Sequence, residues 1–257
     1  MSLQKEILHS TSEYLKDDID YLNLSNASKE YKSILNTLCG EEINIEEGRS
    51  DMKFENGKAL GTFWAALCLD DLLRTRQFIR GIYKAIQDKL KEKESIHILY
   101  AGTGPFATLL LPLMLRFAKE DIKYTLLEVN PFSFRILKKV ISKLGFEGYD
   151  ITFVNEDATK FQLDAKNQPD IIISETMQNA LAKEQQVPIF INLMSQSPRE
   201  TIFIPEKIEL KLGLKERGIP FENLSRNNYH KEETIFEVSK EAMFPTNESG
   251  IYMASEI

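Results

Sequence analysis

The residues best able to do chemistry are two glycines and three acids, each placed directly behind a short apolar run. Gly102 and Gly104 follow His97-Ile98-Leu99-Tyr100-Ala101. A G-x-G pair lets the backbone turn tightly and approach a ligand closely, because neither glycine carries a Cβ. Glu128 ends the next apolar run, 24 residues after Gly104. A carboxylate in that place can accept both hydrogen bonds of a ribose diol. Asp157 follows a third run, within Asn155-Glu156-Asp157-Ala158, and suits an adenine amine. Glu175 follows a fourth, Asp170-Ile171-Ile172-Ile173-Ser174. Any one of these acids alone reads as a surface residue. Four successive strands that end in glycine or acid on one edge describe a ligand crevice. An acid at such an edge is expected to face the crevice, so losing Glu128 should cost binding more than folding.

Those residues need strands that alternate with helices. Residues 96–100, 124–128, 151–154 and 170–174 are predicted strands. Residues 106–119 are a predicted helix in which Pro112 kinks the axis or resets the start. Asn130-Pro131 supplies a cap and a first-turn proline for a helix whose face is Ile136, Leu137, Val140, Ile141 and Leu144. Pro188 opens a further helix through Met194. Continuous apolar strands separated by helices imply a parallel sheet covered on both faces. The expected fold is α/β: a Rossmann-like doubly wound sheet over residues 93–205, an N-terminal helical region over 1–92 and a small β-rich extension over 206–257.

In the N-terminal region Leu8, Leu15, Ile19 and Leu22 recur at helical spacing, and so do Ile79, Ile82, Tyr83, Ile86 and Leu90. The acidic stretch 40–57 between them reads as a solvated loop. In the extension, Ile208, Leu210, Leu212 and Leu214 alternate with Lys207, Glu209, Lys211 and Gly213, the pattern of a half-buried strand; 234–238 and 251–253 are weaker strand candidates. His97, just ahead of an apolar strand core, reads as structural.

The 257 residues are 42% hydrophobic and 28% charged, with net charge −7 from 39 acidic and 32 basic residues. That balance carries no electrostatic footprint for nucleic acid. Cys39 and Cys68 are too few for a disulfide framework and match no zinc spacing. The longest apolar stretch, 107–115, is too short to span a membrane. The first ten residues show no leader-like apolar core, so a cytoplasmic location is expected.

On these motifs the sequence resembles the class I S-adenosylmethionine-dependent methyltransferases, and within them the protein arginine methyltransferases, over roughly residues 70–210. Ala101-Gly102-Thr103-Gly104-Pro105 resembles the family's A-G-x-G-P turn, Leu127-Glu128-Val129-Asn130-Pro131 its acid-x-Asn-Pro segment, and Asp71-Leu72-Leu73-Arg74-Thr75 its D-x-x-R-T helix. The resemblance implies S-adenosylmethionine as cofactor. It places the turn from Tyr100 and Ala101 through Gly102 and Gly104 against the cofactor, Arg74 on its methionine carboxylate, Glu128 on the ribose, and Asp157 or Ala158 at the adenine edge. Glu175 and Glu184, nine residues apart, resemble the family's double-glutamate loop, which grips a substrate guanidinium. Two nearby carboxylates repel each other, and a planar cation relieves that repulsion through bidentate pairing. No metal is implied.

The chain also departs from the family. Gln178 stands where the loop glycine is expected, Tyr100 where many methyltransferases carry the first motif glycine, and the only tryptophan is Trp64. The 52 residues 206–257 are fewer than a full substrate-binding barrel needs. The leading expectation is methyl transfer to a nitrogen, with Glu175 orienting the acceptor. A protein side chain and a small metabolite both remain open as acceptors, and there is room for a homodimer. A nicotinamide-dependent oxidoreductase is a rival, because Gly102-x-Gly104-x-x-Ala107 formally fits the dinucleotide fingerprint. A silent binding module on the same fold is another.

Overall fold

The computed structural model describes residues 2–40, 46–54, 57–59, 61–177, 185–215 and 229–243. The chain divides into two compact units, Met1–Pro205 and Glu206–Ile257. The first unit begins with helices α1 (Leu3–Ser10), α2 (Tyr21–Cys39) and α3 (Glu46–Arg49), the hairpin β1 (Met52–Phe54) and β2 (Gly57–Ala59), then α4 (Thr62–Ala66) and α5 (Leu72–Glu92). Strand β3 (Ile96–Ala101), α6 (Leu111–Met114), β4 (Ile122–Leu127), α7 (Pro131–Lys143), β5 (Asp150–Val154), β6 (Ile171–Ser174), α8 (Gln186–Gln196) and β7 (Ile202–Ile204) complete it.

Five of these strands form a parallel sheet in the order β5-β4-β3-β6-β7. The chain runs outward from β3 to β5, then returns to the other side of β3 with β6, the doubly wound arrangement. The reversal opens a crevice between the carboxyl ends of β3 and β6, where open α/β sheets bind their ligands. Ala101 is level with Leu127 on one side and Ser174 on the other, so the glycine turn, Glu128 and Glu175 all leave the sheet at one height. Every residue of β3 and β6 is buried, which explains their unbroken apolar runs.

Helices α5 and α7 start where their caps dictate. Asn130 Oδ1 accepts from the N–H groups of Phe132 (2.9 Å) and Ser133 (3.2 Å), with Pro131 in the first turn of α7. Asp71 Oδ1 accepts from Arg74 N at 3.2 Å and caps α5. Ile79, Ile82 and Ile86 of α5 are buried in a cluster that also takes in Tyr31 and Leu35 of α2, Ile98 and Tyr100 of β3, and Ile136 of α7. His97 is buried between Thr125 Oγ1 (Nε2, 2.8 Å) and the Asn167 carbonyl (Nδ1, 3.1 Å), a structural placement.

Three expectations need correction. Only Leu111–Met114 of the helix expected over 106–119 is α-helical. Ala107 has φ 46°, which no right-handed helix accommodates, and the chain turns through residue 110 before Pro112 falls in the first turn of α6. The stripe of Leu8, Leu15, Ile19 and Leu22 is not one face: α1 ends at Ser10, and Ile19 and Leu22 are exposed. Among its described residues, the acidic stretch 40–57 holds α3, β1 and the first residue of β2.

In the second unit, β8 (Lys207–Lys215) pairs antiparallel with β9 (Tyr229–Ser239), followed by α9 (Lys240–Met243). The alternating segment and the candidate at 234–238 thus face each other; residues 251–253 lie outside the described residues. No helix among the described residues is long and apolar enough to cross a membrane.

Candidate functional site

The glycine turn is built for close approach. Gly102 and Gly104 have φ +74° and +62°, a region that side chains rarely tolerate. Gly102 N donates to the Leu127 carbonyl at 2.8 Å, which ties the turn to β4. A Cβ on Gly102 would lie 2.5 Å from Thr176 Cγ2, so the loops after β3 and β6 touch across the crevice. Around Gly104 a Cβ would meet nothing nearer than Ala65 Cβ at 3.6 Å. Tyr100 and Ala101, just before the turn, are buried in β3, and the Tyr100 side chain packs in the main hydrophobic cluster.

Glu128 lies beside this turn, but it is buried rather than open, at 5% exposure. Its Oε2 accepts from Gly104 N at 2.7 Å and its Oε1 from Asn130 N at 2.8 Å. Burial pushes its carboxyl above the ordinary range, and the N–H groups of Asn130, Gly104 and Val129 pull it back. A carboxylate has about four lone-pair sites, so these three N–H groups leave capacity for about one more donor. Asn155 Nδ2 donates to the carbonyls of Glu128 (2.6 Å) and Val129 (3.2 Å) and fixes the backbone here.

Arg74 comes from the first turn of α5, 101 positions before Glu175, and its Nη1 lies 3.1 Å from Glu175 Oε1. Its Nε is 3.5 Å from Asp71 Oδ2. Side-chain exposure is 31% for Arg74 and 10% for Glu175, so the guanidinium is the accessible member of the pair. Burial pushes the Glu175 carboxyl up; Arg74 and the Met177 N–H oppose that shift, and Asp71 adds to it.

Asp157 and Ala158 follow β5 on the same edge. Asp157 Oδ1 accepts from Thr159 N (2.9 Å) and Oγ1 (2.8 Å), a local turn that engages this carboxylate. Ala158 is buried, and its carbonyl accepts from Asn192 Nδ2 at 2.9 Å. Gln196 of the same helix receives Leu163 N at 2.9 Å and donates to the Phe161 carbonyl at 3.0 Å. Helix α8 therefore fixes the loop after β5. Glu184 lies outside the described residues.

The structure thus joins Gly104 to Glu128, Gly102 to Thr176, and Arg74 to Glu175. Sequence reasoning missed Asn155, Thr176, Gln186, Asn192 and Gln196. These neutral residues hold the site's backbone, and no charge, spacing or periodicity marks them. Among the described residues no group of His, Cys, Asp and Glu is arranged to hold a metal ion.

No protein-family model and no curated protein matches the chain. Similar solved structures include the Trypanosoma brucei PRMT1 enzyme–prozyme heterotetrameric complex with AdoHcy, at 16% identity and TM-score 0.49, covering 67% of this chain and 60% of that one. Arabidopsis thaliana protein arginine methyltransferase 10 is similar at 15% identity and TM-score 0.41, covering 55% and 39%. A methyltransferase from Thiobacillus denitrificans with S-adenosyl-L-homocysteine is similar at 14% and TM-score 0.36, covering 56% and 51%. The matched part spans 60% or less of each of these three proteins.

Proposed function

We propose that the chain is an S-adenosylmethionine-dependent methyltransferase whose acceptor is a basic nitrogen, an amine or a guanidinium. The observation that carries this reading is the backbone immediately after the glycine turn. A dinucleotide site needs a helix N-terminus there to receive a pyrophosphate. Here Ala107 at φ 46° and the turns through residue 110 stand in that place, and α6 starts only at Leu111. A cofactor without phosphates has no use for that dipole, whereas its carboxylate needs a cation, and Arg74 is a partly exposed one at the same edge.

The donor set fits S-adenosylmethionine. Glu128 retains acceptor capacity for one hydroxyl of a diol, Arg74 can receive a carboxylate, and at Gly104 a ligand can approach where another residue would carry a Cβ. Asp157 or Ala158 would border the adenine. Bound there, the cofactor supplies an electrophilic methyl group. Glu175, mostly buried and next to Arg74, would hold the acceptor nitrogen and favour the positive charge that develops on it. Among the described residues the Ser174 hydroxyl and both polar atoms of the Gln185 amide are buried without hydrogen-bond partners, unused capacity on the residue before Glu175 and on the one before α8.

Calorimetric titration tests the reading. S-adenosylhomocysteine should bind at micromolar Kd, about −8 kcal/mol, and NAD should not. Glu175→Gln should keep that affinity within about twofold while methyl transfer falls roughly 100-fold. Saturable NAD binding with none of S-adenosylhomocysteine would reverse the assignment.

A further inference from the structure

We propose that Gln186, a residue outside every motif of the site, is the positioning residue that fixes the direction of Glu175. The inference rests on the reading of Glu175 as the acceptor-orienting group.

Gln186 opens α8 and is 1% exposed. Its Oε1 accepts from Thr176 N at 2.7 Å and from Thr176 Oγ1 at 3.1 Å. Its Nε2 donates to the Ser174 carbonyl at 3.0 Å. The Ser174 carbonyl belongs to the peptide before Glu175, and the Thr176 N–H belongs to the peptide after it. One primary amide therefore anchors both peptide planes that flank Glu175. The orientations of those planes set φ and ψ of a residue, and with them the direction of its Cβ. The same bonds seat the Thr176 methyl over Gly102, so the amide also sets how the loop after β6 closes on the glycine turn.

Only a glutamine meets these demands. The position must donate to a carbonyl while it accepts from an N–H and a hydroxyl, all out of water. An ionised glutamate has no donor, and an apolar side chain leaves buried polar groups without partners. Gln186 also acts at a distance from the chemistry: it touches the backbone on either side of Glu175, while Arg74 touches the carboxylate itself. A displacement of about 1 Å in a group that orients a reactant can cost about 100-fold in rate.

The test uses the full chain with ¹³C-labelled glutamate, and Glu175→Gln identifies the Glu175 carboxyl signal. Burial is the largest influence on that carboxyl, with Arg74 and Asp71 as its charged neighbours. Gln186→Met fills the same space without the bonds. It should free the two peptides that flank Glu175, so that the Glu175 ionisation drops toward the ordinary carboxylate range, while S-adenosylhomocysteine affinity stays within about threefold. A parental titration curve in a folded Gln186→Met protein overturns the proposal, whatever its melting temperature. If Gln186→Met does not fold, Gln186→Leu, likewise uncharged and without the bonds, takes its place with the same two outcomes. The titration needs no ligand. Absence of S-adenosylhomocysteine binding by the wild type would therefore remove the methyltransferase reading and leave the Gln186–Glu175 linkage to be decided on its own.

Discussion

Glu128, buried, and Glu175, mostly buried, sit at the carboxyl edge of one sheet, yet their charges are answered in different ways. Backbone N–H groups of Gly104 and Asn130 hold Glu128, whereas a side chain, Arg74, holds Glu175 together with one backbone group, the Met177 N–H. Backbone donors cannot leave without unfolding the turn that provides them, so Glu128 is part of the frame. A guanidinium on a flexible stem can exchange partners, so Glu175 is held in a way that a ligand can replace. A carboxylate at a strand end can therefore be structural, functional or both, and the nature of its donors separates the cases.

The largest expected effect comes from removing the framed carboxylate. Glu128→Ala leaves the Gly104 and Asn130 donors buried and unpaired, at about 1–3 kcal/mol each. A loss of about 3 kcal/mol would lower Tm by roughly 6–12 °C. Glu175→Ala, whose partner is partly exposed, should lower Tm far less. Equal losses measured by calorimetry would erase the distinction. Folding, and not binding alone, thus pays for the loss of Glu128.

Arg74→Ala sharpens the comparison from the other side. Loss of one charge-assisted contact should weaken S-adenosylhomocysteine by about 10–100-fold, or about 1.5–3 kcal/mol. It should also push the Glu175 carboxyl further up, because Arg74 is the cation that pulls it down. The sign for stability comes from proton binding. A folded state with a raised carboxyl keeps a proton that the unfolded chain has released, so stability falls as pH climbs from the ordinary value of 4.5 through the raised one. Melting curves at successive pH values should show that decline extending to higher pH in Arg74→Ala and reduced to the share of Glu128 in Glu175→Gln. A pH dependence unchanged by both variants would deny Glu175 its raised value.

The smallest effect is expected at Asp157, whose carboxylate is engaged with its own loop. Asp157→Ala gives up the two bonds to Thr159 at a cost of about 1 kcal/mol in Tm-derived stability. The loop remains tied to α8 through Asn192 and Gln196, so S-adenosylhomocysteine affinity should fall by less than in Arg74→Ala. A larger loss of affinity would give Asp157 a direct role in holding the nucleoside.

Much of this was legible in the sequence. The glycine turn, the acids at the strand ends, the Asn130-Pro131 cap and the α5 face of Ile79, Ile82 and Ile86 are where their types and spacing put them. Strands buried on both faces leave plain apolar runs, and caps need particular side chains. The buried face of α2, Leu24, Tyr31, Leu35 and Leu38, went unread because Ser, Asn and Lys dilute its period. The turns after Gly104 were hidden by good helix formers such as Leu109 and Leu110, whose propensity the backbone at Ala107 overrides. Gln186, Asn192 and Gln196 were invisible for a different reason. An amide that bonds to backbone groups leaves no mark at the partner's position, because every residue has a carbonyl and nearly every residue an N–H.

The hydrophobic cluster that joins Ile7 and Tyr14 to Tyr31, Ile79, Ile98 and Tyr100 has a consequence for the amino-terminal helices. The Tyr31 hydroxyl also donates to the Thr108 carbonyl at 3.2 Å, in the turns that come after the glycines. An opening that peels α1 and α2 away exposes the floor beneath the glycine turn, and loosening that turn exposes the helices. Mass action then couples the two: a ligand held at one hundred times its Kd adds about 2.7 kcal/mol against any opening that destroys its site. A ligand bound at the sheet edge would therefore guard α1 and α2 against proteolytic attack, although no ligand atom need touch them.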